Sequence, residues 1–340
     1  MTESSMNKNK TVATWLLICC ALVFAMVVLG GVTRLTGSGL SMVDWKPVTG
    51  ILPPMGEEAW LEEFAQYQES PEFQKVNSGM DVHGFKKIFW LEYLHRLLGR
   101  TIGIIFLFPF LYFLARGYIK KNETPKYALM FILGGLQGLL GWYMVKSGLV
   151  HDPHVSQYRL TAHLIAAFLV YSYMFWVAMS LLYPGKGKKH EWYGKTLALT
   201  ALIVTTVISG GFVAGLKAGK IYNTFPMMGD YWIPPGIASM QPFWLNLFEN
   251  TTTVQFDHRI LAITTFFMIV WFWFRIRSTE LPRRASVAVN ALLHTATLQV
   301  VLGISTLLMA VPIFLGSVHQ AVAMLLFTVA LFLLHSLRSK

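Results

Sequence analysis

Charge is scarce in this sequence. Of its 340 residues, only 13% are Asp, Glu, Lys or Arg, where a soluble domain carries roughly a quarter. Acidic residues are fewest, 17 against 28 Lys and Arg, and hardly any falls inside the long apolar runs. Cysteine is confined to the neighbours Cys19 and Cys20. Adjacent cysteines inside an apolar run cannot close a loop disulfide and match no zinc spacing, so they read as small packing residues. A phosphate loop is missing too, because the glycine-rich "GLQGLLG" lies within an apolar run and has no lysine. What is abundant is hydrocarbon, at 54% hydrophobic residues. The balance excludes a soluble globular domain and indicates an all-α polytopic membrane protein. The net charge of +11 does not indicate a nucleic-acid partner, because the basic residues gather in short connections between apolar runs, where they act as topology signals.

A membrane span takes roughly 20 apolar residues. Eight runs qualify: 13–33, 91–115, 127–147, 159–183, 196–216, 256–276, 286–309 and 313–335. The first has no small-residue cleavage site after it and reads as a retained helix. The connection after the second run holds Arg116, Lys120, Lys121 and Lys126. That after the fourth holds Lys186, Lys188, Lys189 and Lys195, and that after the sixth Arg275, Arg277, Arg283 and Arg284. Positive-inside bias puts these loops and both termini in the cytoplasm, or in the matrix of a mitochondrion. The long segments 34–90 and 217–255 then face out and cap the helices, with a short interfacial helix expected in "EEAWLEEFAQYQESPEFQKV".

The chain repeats itself. "LGGVTRLTGSGL" corresponds to "SGGFVAGLKAGK", "EYLHR" (92–96) to "QFDHR" (255–259), "LQGLLG" (136–141) to "LQVVLG" (298–303), and His163 to His319. Four spans per repeat is an even number, so both copies share one orientation. The expected architecture is two four-helix bundles, 1–185 and 186–340, related by a pseudo-two-fold axis along the membrane normal.

His95, His163, His258 and His319 each fall near the start of an even-numbered span. They should lie at one depth toward the outer side, two per half. Facing helices that present one histidine each are a common way of holding haem iron axially. A di-iron site needs several carboxylates, and zinc needs further ligands that do not appear here. Porphyrin supplies four ligands itself and leaves two axial positions. Arg96 and Arg259 directly follow their histidines, so each can pair with a haem propionate or snorkel to headgroups. Arg100 and Arg159 are weaker candidates. His83, His151, His154 and His190 read as solvated loop residues, and His335 as belonging to the opposite membrane surface. His294, inside the seventh span and without a repeat counterpart, reads as a polar packing group.

The repeat breaks at one position. Glu92 shares a helix face with His95 at i, i+3, and its counterpart is Gln255, which can hydrogen-bond but cannot carry charge. Chemistry in the first half and a held cofactor in the second would explain this. Glu92 is also placed to pair with Arg96 at i+4, which is compatible with a catalytic role. The clusters Gly30-Gly31, Gly134-Gly135-Gly138 and Gly210-Gly211 read as points of close helix approach.

At this level of detail the sequence resembles the haem A synthase family. The resemblance rests on "GGVTRLTGSGLSMVDWKPVTGILPP", "FKKIFWLEYLHRLLGR", "QGLLGWYMVKSGL", "AGLKAGKIYNTFPMMGD" and "FDHR", with His163 and His319 in place, and covers nearly the whole chain. It implies oxidation of the C8 methyl of haem O to a formyl group, giving haem A for cytochrome oxidase, by two hydroxylations and loss of water. It also implies a haem b cofactor on His258 and His319, substrate haem flanked by His95 and His163, and Glu92 as the catalytic carboxylate. Implied partners are haem O, membrane lipid, an electron-donor protein and haem O synthase, with a homo-oligomer open. Residues 34–90 contain no cysteine, unlike family members with a cysteine pair there, so the chain resembles the cysteine-free proteobacterial and mitochondrial branch. Its N-terminal tail lacks Arg-rich transit character, which favours a bacterial inner membrane. The runner-up from the residues alone is a bis-histidine di-haem b-type membrane electron carrier without substrate chemistry; a haem transporter or chaperone is a third reading.

Overall fold

The computed structural model describes residues 3–44, 49–150, 153–185 and 189–338. The described chain is helical and without a β-strand, and eight of its helices are long and apolar enough to cross a membrane. These are α1 (Glu3–Leu35), α4 (Val82–Ala115), α5 (Thr124–Gly148), α6 (Gln157–Leu182), α7 (Tyr193–Gly215), α8 (Thr251–Ile276), α9 (Arg283–Leu308) and α10 (Ile313–Ser336). Two shorter helices, α2 (Glu57–Gln68) and α3 (Pro71–Lys75), occupy the segment expected to hold an interfacial helix. The eight spans are those read from hydropathy. Several starts move outward where polar residues continue the helical turn, by far the most in α1, which starts at Glu3, and α4, which starts at Val82. There Asp81 caps the helix by accepting from the Gly84 amide at 2.8 Å, satisfying an N–H that would otherwise lack a partner.

The chain divides into two compact units, Ile18–Val170 and Met1–Leu17 with Tyr171–Lys340. In the Ile18–Val170 unit, α2 packs on the polar start of α4 through Trp60, Tyr67, Phe85, Phe89 and Tyr93. Trp60 meets Phe89 edge-on at 5.0 Å and Tyr67 stacks on Phe85 at 5.1 Å. Those aromatic contacts explain why α4 persists beyond its apolar stretch. The outward face of α5 carries Phe131, Ile132, Leu136 and Leu139 exposed, the surface that lipid favours. In the other unit, the segment before α8 has only short 3-10 turns, among them Phe243–Leu247, and is held by asparagines. Asn246 donates to Met240 and Phe243 carbonyls, and Asn250 caps α8 at the amides of Thr252 and Thr253.

Several expectations change. His83 lies within α4, though exposed. His190 is buried, because its Nδ1 accepts from the Trp192 amide and its Nε2 meets the Glu280 carbonyl. His294 is exposed on α9 and packs nothing away. Gly134, Gly135 and Gly138 are exposed with no neighbour within 4 Å, so they mediate no close approach among the described residues. His151, Lys186 and Lys188 lie outside the described residues.

Candidate haem sites

Each of the four repeated histidines is seated on a glycine of a neighbouring helix. His95 on α4 lies against Gly30 of α1, and His163 on α6 against Gly141 of α5. In the other unit, His258 on α8 lies against Gly210 of α7, and His319 on α10 against Gly303 of α9. A methyl group on these glycines would sit 3.0, 2.9, 3.1 and 2.9 Å from the respective Cε1 atoms. That is too close for an ordinary contact, so only glycine lets the ring edge approach. Gly30 and Gly210 were legible as a repeat but read as helix-packing residues. Gly141 and Gly303 close the paired motifs "LQGLLG" and "LQVVLG", which is the signal that could have found them.

The histidines come together in pairs within each unit. His95 and His163 are within electrostatic reach of each other, as are His258 and His319. All four residues are partly exposed, yet Nδ1 of His95, His163 and His319 is buried without a hydrogen-bond partner. The accessible part of those rings therefore lies away from Nδ1. Gln137 donates to the His163 carbonyl at 2.8 Å, and its repeat counterpart Gln299 brings its amide nitrogen to 3.3 Å from Nε2 of His319.

His258 differs from the rest. Its Nδ1 lies 2.8 Å from the Ser209 hydroxyl, which itself lies 2.8 Å from the Thr206 carbonyl. Thr206 in turn shares a 2.7 Å hydrogen bond with Thr265.

Glu92 is almost fully buried and accepts four hydrogen bonds. The Arg96 side chain donates to one carboxylate oxygen at 2.6 and 3.1 Å; the Ser41 hydroxyl and Met42 amide donate to the other at 2.7 and 2.9 Å. Arg96 also donates to the carbonyls of Met42 and Asp44. The pair thus ties the loop after α1 to α4, and Leu40 of that loop packs its side chain onto Gly148 at the end of α5. Gln255 and Arg259 do the corresponding task in the other unit. Gln255 donates to the Tyr222 carbonyl, and Arg259 to those of Tyr222, Thr224 and Met227. The helix pairing of Glu92 with Arg96 is therefore present; Arg96 divides its donors between Glu92 and two loop carbonyls, whereas Arg259 donates to loop carbonyls alone. Arg159 stacks on Tyr143 at 4.0 Å. Arg100 is partly buried on α4, one turn beyond Arg96.

This donor set suits a porphyrin. No group of three or more His, Cys, Asp or Glu able to hold a metal ion occurs among the described residues, so zinc and di-iron sites lack their ligands. Two histidines per unit are the number of protein ligands that haem iron, already held by four porphyrin nitrogens, would take, and in His95, His163 and His319 the accessible ring edge is not Nδ1.

Comparison with known proteins identifies the family. The family described as "Cytochrome oxidase assembly protein" matches residues 13–331. The chain is similar to a protein named "Heme A synthase" from Nitrosospira multiformis, 51% identical over 99% of this chain and 96% of that protein. It is also similar to "Heme A synthase COX15" of Arabidopsis thaliana, 48% identical over 97% of this chain and 75% of that protein. The human protein of the same name is 45% identical over 97% of this chain and 83% of its own length.

Proposed function

The chain belongs to the cytochrome oxidase assembly family, and from that premise we propose how its residues serve the conversion of haem O to haem A. It is a membrane oxidoreductase that carries out this conversion. The observation that carries the residue-level reading is the four glycine-seated histidines together with a charged partner beside only one pair. The N-terminal half, 1–185, receives haem O between His95 and His163. The C-terminal half, 186–340, holds a haem b on His258 and His319. That cofactor, when bound, supplies one-electron redox capacity.

The chain's own residues do the rest. The histidines orient the substrate ring and fix its depth. Glu92, held by four donors, keeps a fixed negative charge beside the substrate, where it stabilises positive charge developing as the C8 methyl is oxidised to the formyl group. Arg96, Arg259, Arg100 and Arg159 are the cations available to the propionates. The basic loops near 120, 187 and 280 and both termini face the cytoplasm of a bacterial inner membrane, with the haem sites toward the periplasm. Haem O synthase, as the source of a strongly apolar substrate, and an electron-donor protein are the expected partners.

The test is extraction of haem from purified protein after incubation with haem O, aerobically and anaerobically with a reductant, and identification by mass. Formation of the formyl product supports the reading. Two tightly held haems of unchanged mass would indicate an electron carrier, and exchange of unchanged haem O a transporter.

A further inference from the structure

We infer that Ser209 is the positioning residue that lets the C-terminal half keep its haem, and that Leu29, its repeat counterpart, leaves the N-terminal half able to exchange. The inference rests on the proposed ligation of haem by His258 and asks what distinguishes two otherwise similar seats.

Alignment of "LGGVTRLTGSGL" with "SGGFVAGLKAGK" pairs Gly30 with Gly210 and Leu29 with Ser209. Both glycines receive a histidine ring edge. Only one ring gains a polar neighbour from the preceding residue. The Ser209 hydroxyl is within 2.8 Å of both the Thr206 carbonyl and Nδ1 of His258. A carbonyl can only accept, so the hydroxyl proton goes to Thr206 and the oxygen accepts from Nδ1–H. That assignment puts the ring proton on Nδ1 and leaves the Nε2 lone pair for iron. A second hydroxyl pair, Thr206 with Thr265, braces the same turn of α7 against α8. In the first half the equivalent positions are Met26, Leu29 and Ile102. All three hydroxyls are thus replaced by apolar side chains, and Nδ1 of His95 is buried without a partner.

The chemistry of this difference is general. An axial histidine whose second nitrogen donates a hydrogen bond is a more basic ligand, is fixed in one tautomer and cannot rotate freely; losing that partner costs typically about 10–100-fold in affinity. A resident cofactor needs such a ligand. A substrate that must leave as product is better served without it. The two halves therefore differ in retention through residues that touch no iron.

Ser209→Ala and Ser209→Thr in the full chain, purified with haem, test this. Haem release to excess apomyoglobin and the midpoint potential of the low-spin haem are measured for each. Ser209→Ala should release haem about 10–100-fold faster and show a raised midpoint potential, because a less basic ligand stabilises ferric iron less. Ser209→Thr, which retains the hydroxyl, should restore both. Parental release and an unmoved potential in Ser209→Ala would overturn the inference, as would a Thr variant no better than Ala. His258→Ala, run alongside, tests the underlying ligation separately: persistence of the low-spin spectrum there would defeat that reading whatever Ser209 does.

Discussion

The loop anchors of the two repeats do the same mechanical task with different charge. In one, Glu92 and Arg96 bind the segment after α1 through the Ser41 hydroxyl, the Met42 amide and the carbonyls of Met42 and Asp44. In the other, Gln255 and Arg259 bind the segment after α7 through carbonyls alone. Anchoring therefore does not require a carboxylate. A neutral amide suffices, and a buried charge is costly unless every lone pair is matched. Glu92 has a full set of donors, so the first repeat keeps a charge that packing by itself does not demand. On the proposed reading, that charge serves the substrate beside His95, and the comparison of the two repeats is where this can be tested.

Four predictions test that comparison. Glu92→Gln should have the largest effect. It keeps shape and hydrogen-bonding capacity but removes the charge, and turnover of haem O should fall ~10²-fold or more, the usual scale for a positioned acid, base or charge. The cofactor spectrum should stay, since His258 and His319 are untouched. Near-parental haem A yield would reduce Glu92 to an anchor equivalent to Gln255.

The glycine seats come next. Gly303→Ala and Gly141→Ala each press a methyl into an imidazole at 2.9 Å. Overpacking of this kind costs about 1–3 kcal/mol, or roughly 5–150-fold in an equilibrium it opposes. Gly303→Ala should deplete the cofactor haem on purification, whereas Gly141→Ala should spare it and weaken haem O binding. Equal loss of cofactor from both variants would erase the division between the two repeats.

Leu29→Ser should slow departure of haem from the N-terminal site by up to about 10-fold, importing the hydrogen bond found at His258. Stopped-flow transfer of haem O to an acceptor measures it, and an unchanged rate argues that Ser209 works only in its own surroundings. The smallest effect belongs to Ser41→Ala, which removes one of four donors to Glu92. Loss of a hydrogen bond to a charged group costs about 1.5–3 kcal/mol. We expect a modest fall in thermal stability and less than a tenth of the Glu92→Gln effect on turnover. A Ser41→Ala defect as large as that of Glu92→Gln would mean that loop order, not charge, limits the reaction.

Much of this protein was legible in one dimension. Hydropathy located all eight long helices, because a span must satisfy its backbone internally and face lipid with apolar side chains. The internal repeat singled out His95, His163, His258 and His319, and the break at Glu92 and Gln255, because equivalent positions in a duplicated fold can be compared without coordinates. Local polarity misled in two places. His190 reads as a solvated loop residue until the Glu280 carbonyl and Trp192 amide are brought to it. The start of α4 reads as loop until the aromatic side chains of α2 cover it.

What the sequence by itself determined was the membrane class and the eight long apolar helices of the described residues, which follow from composition and periodicity along the chain, while its repetition nominated the paired histidines. Only the tertiary structure decided what each histidine touches. Whether a ring meets Gly141 or the exposed Gly138, and whether Nδ1 finds Ser209 or nothing, depends on how each helix is rotated about its axis toward its neighbour. That rotation is set by packing between side chains far apart in sequence, and neither hydropathy nor spacing records it.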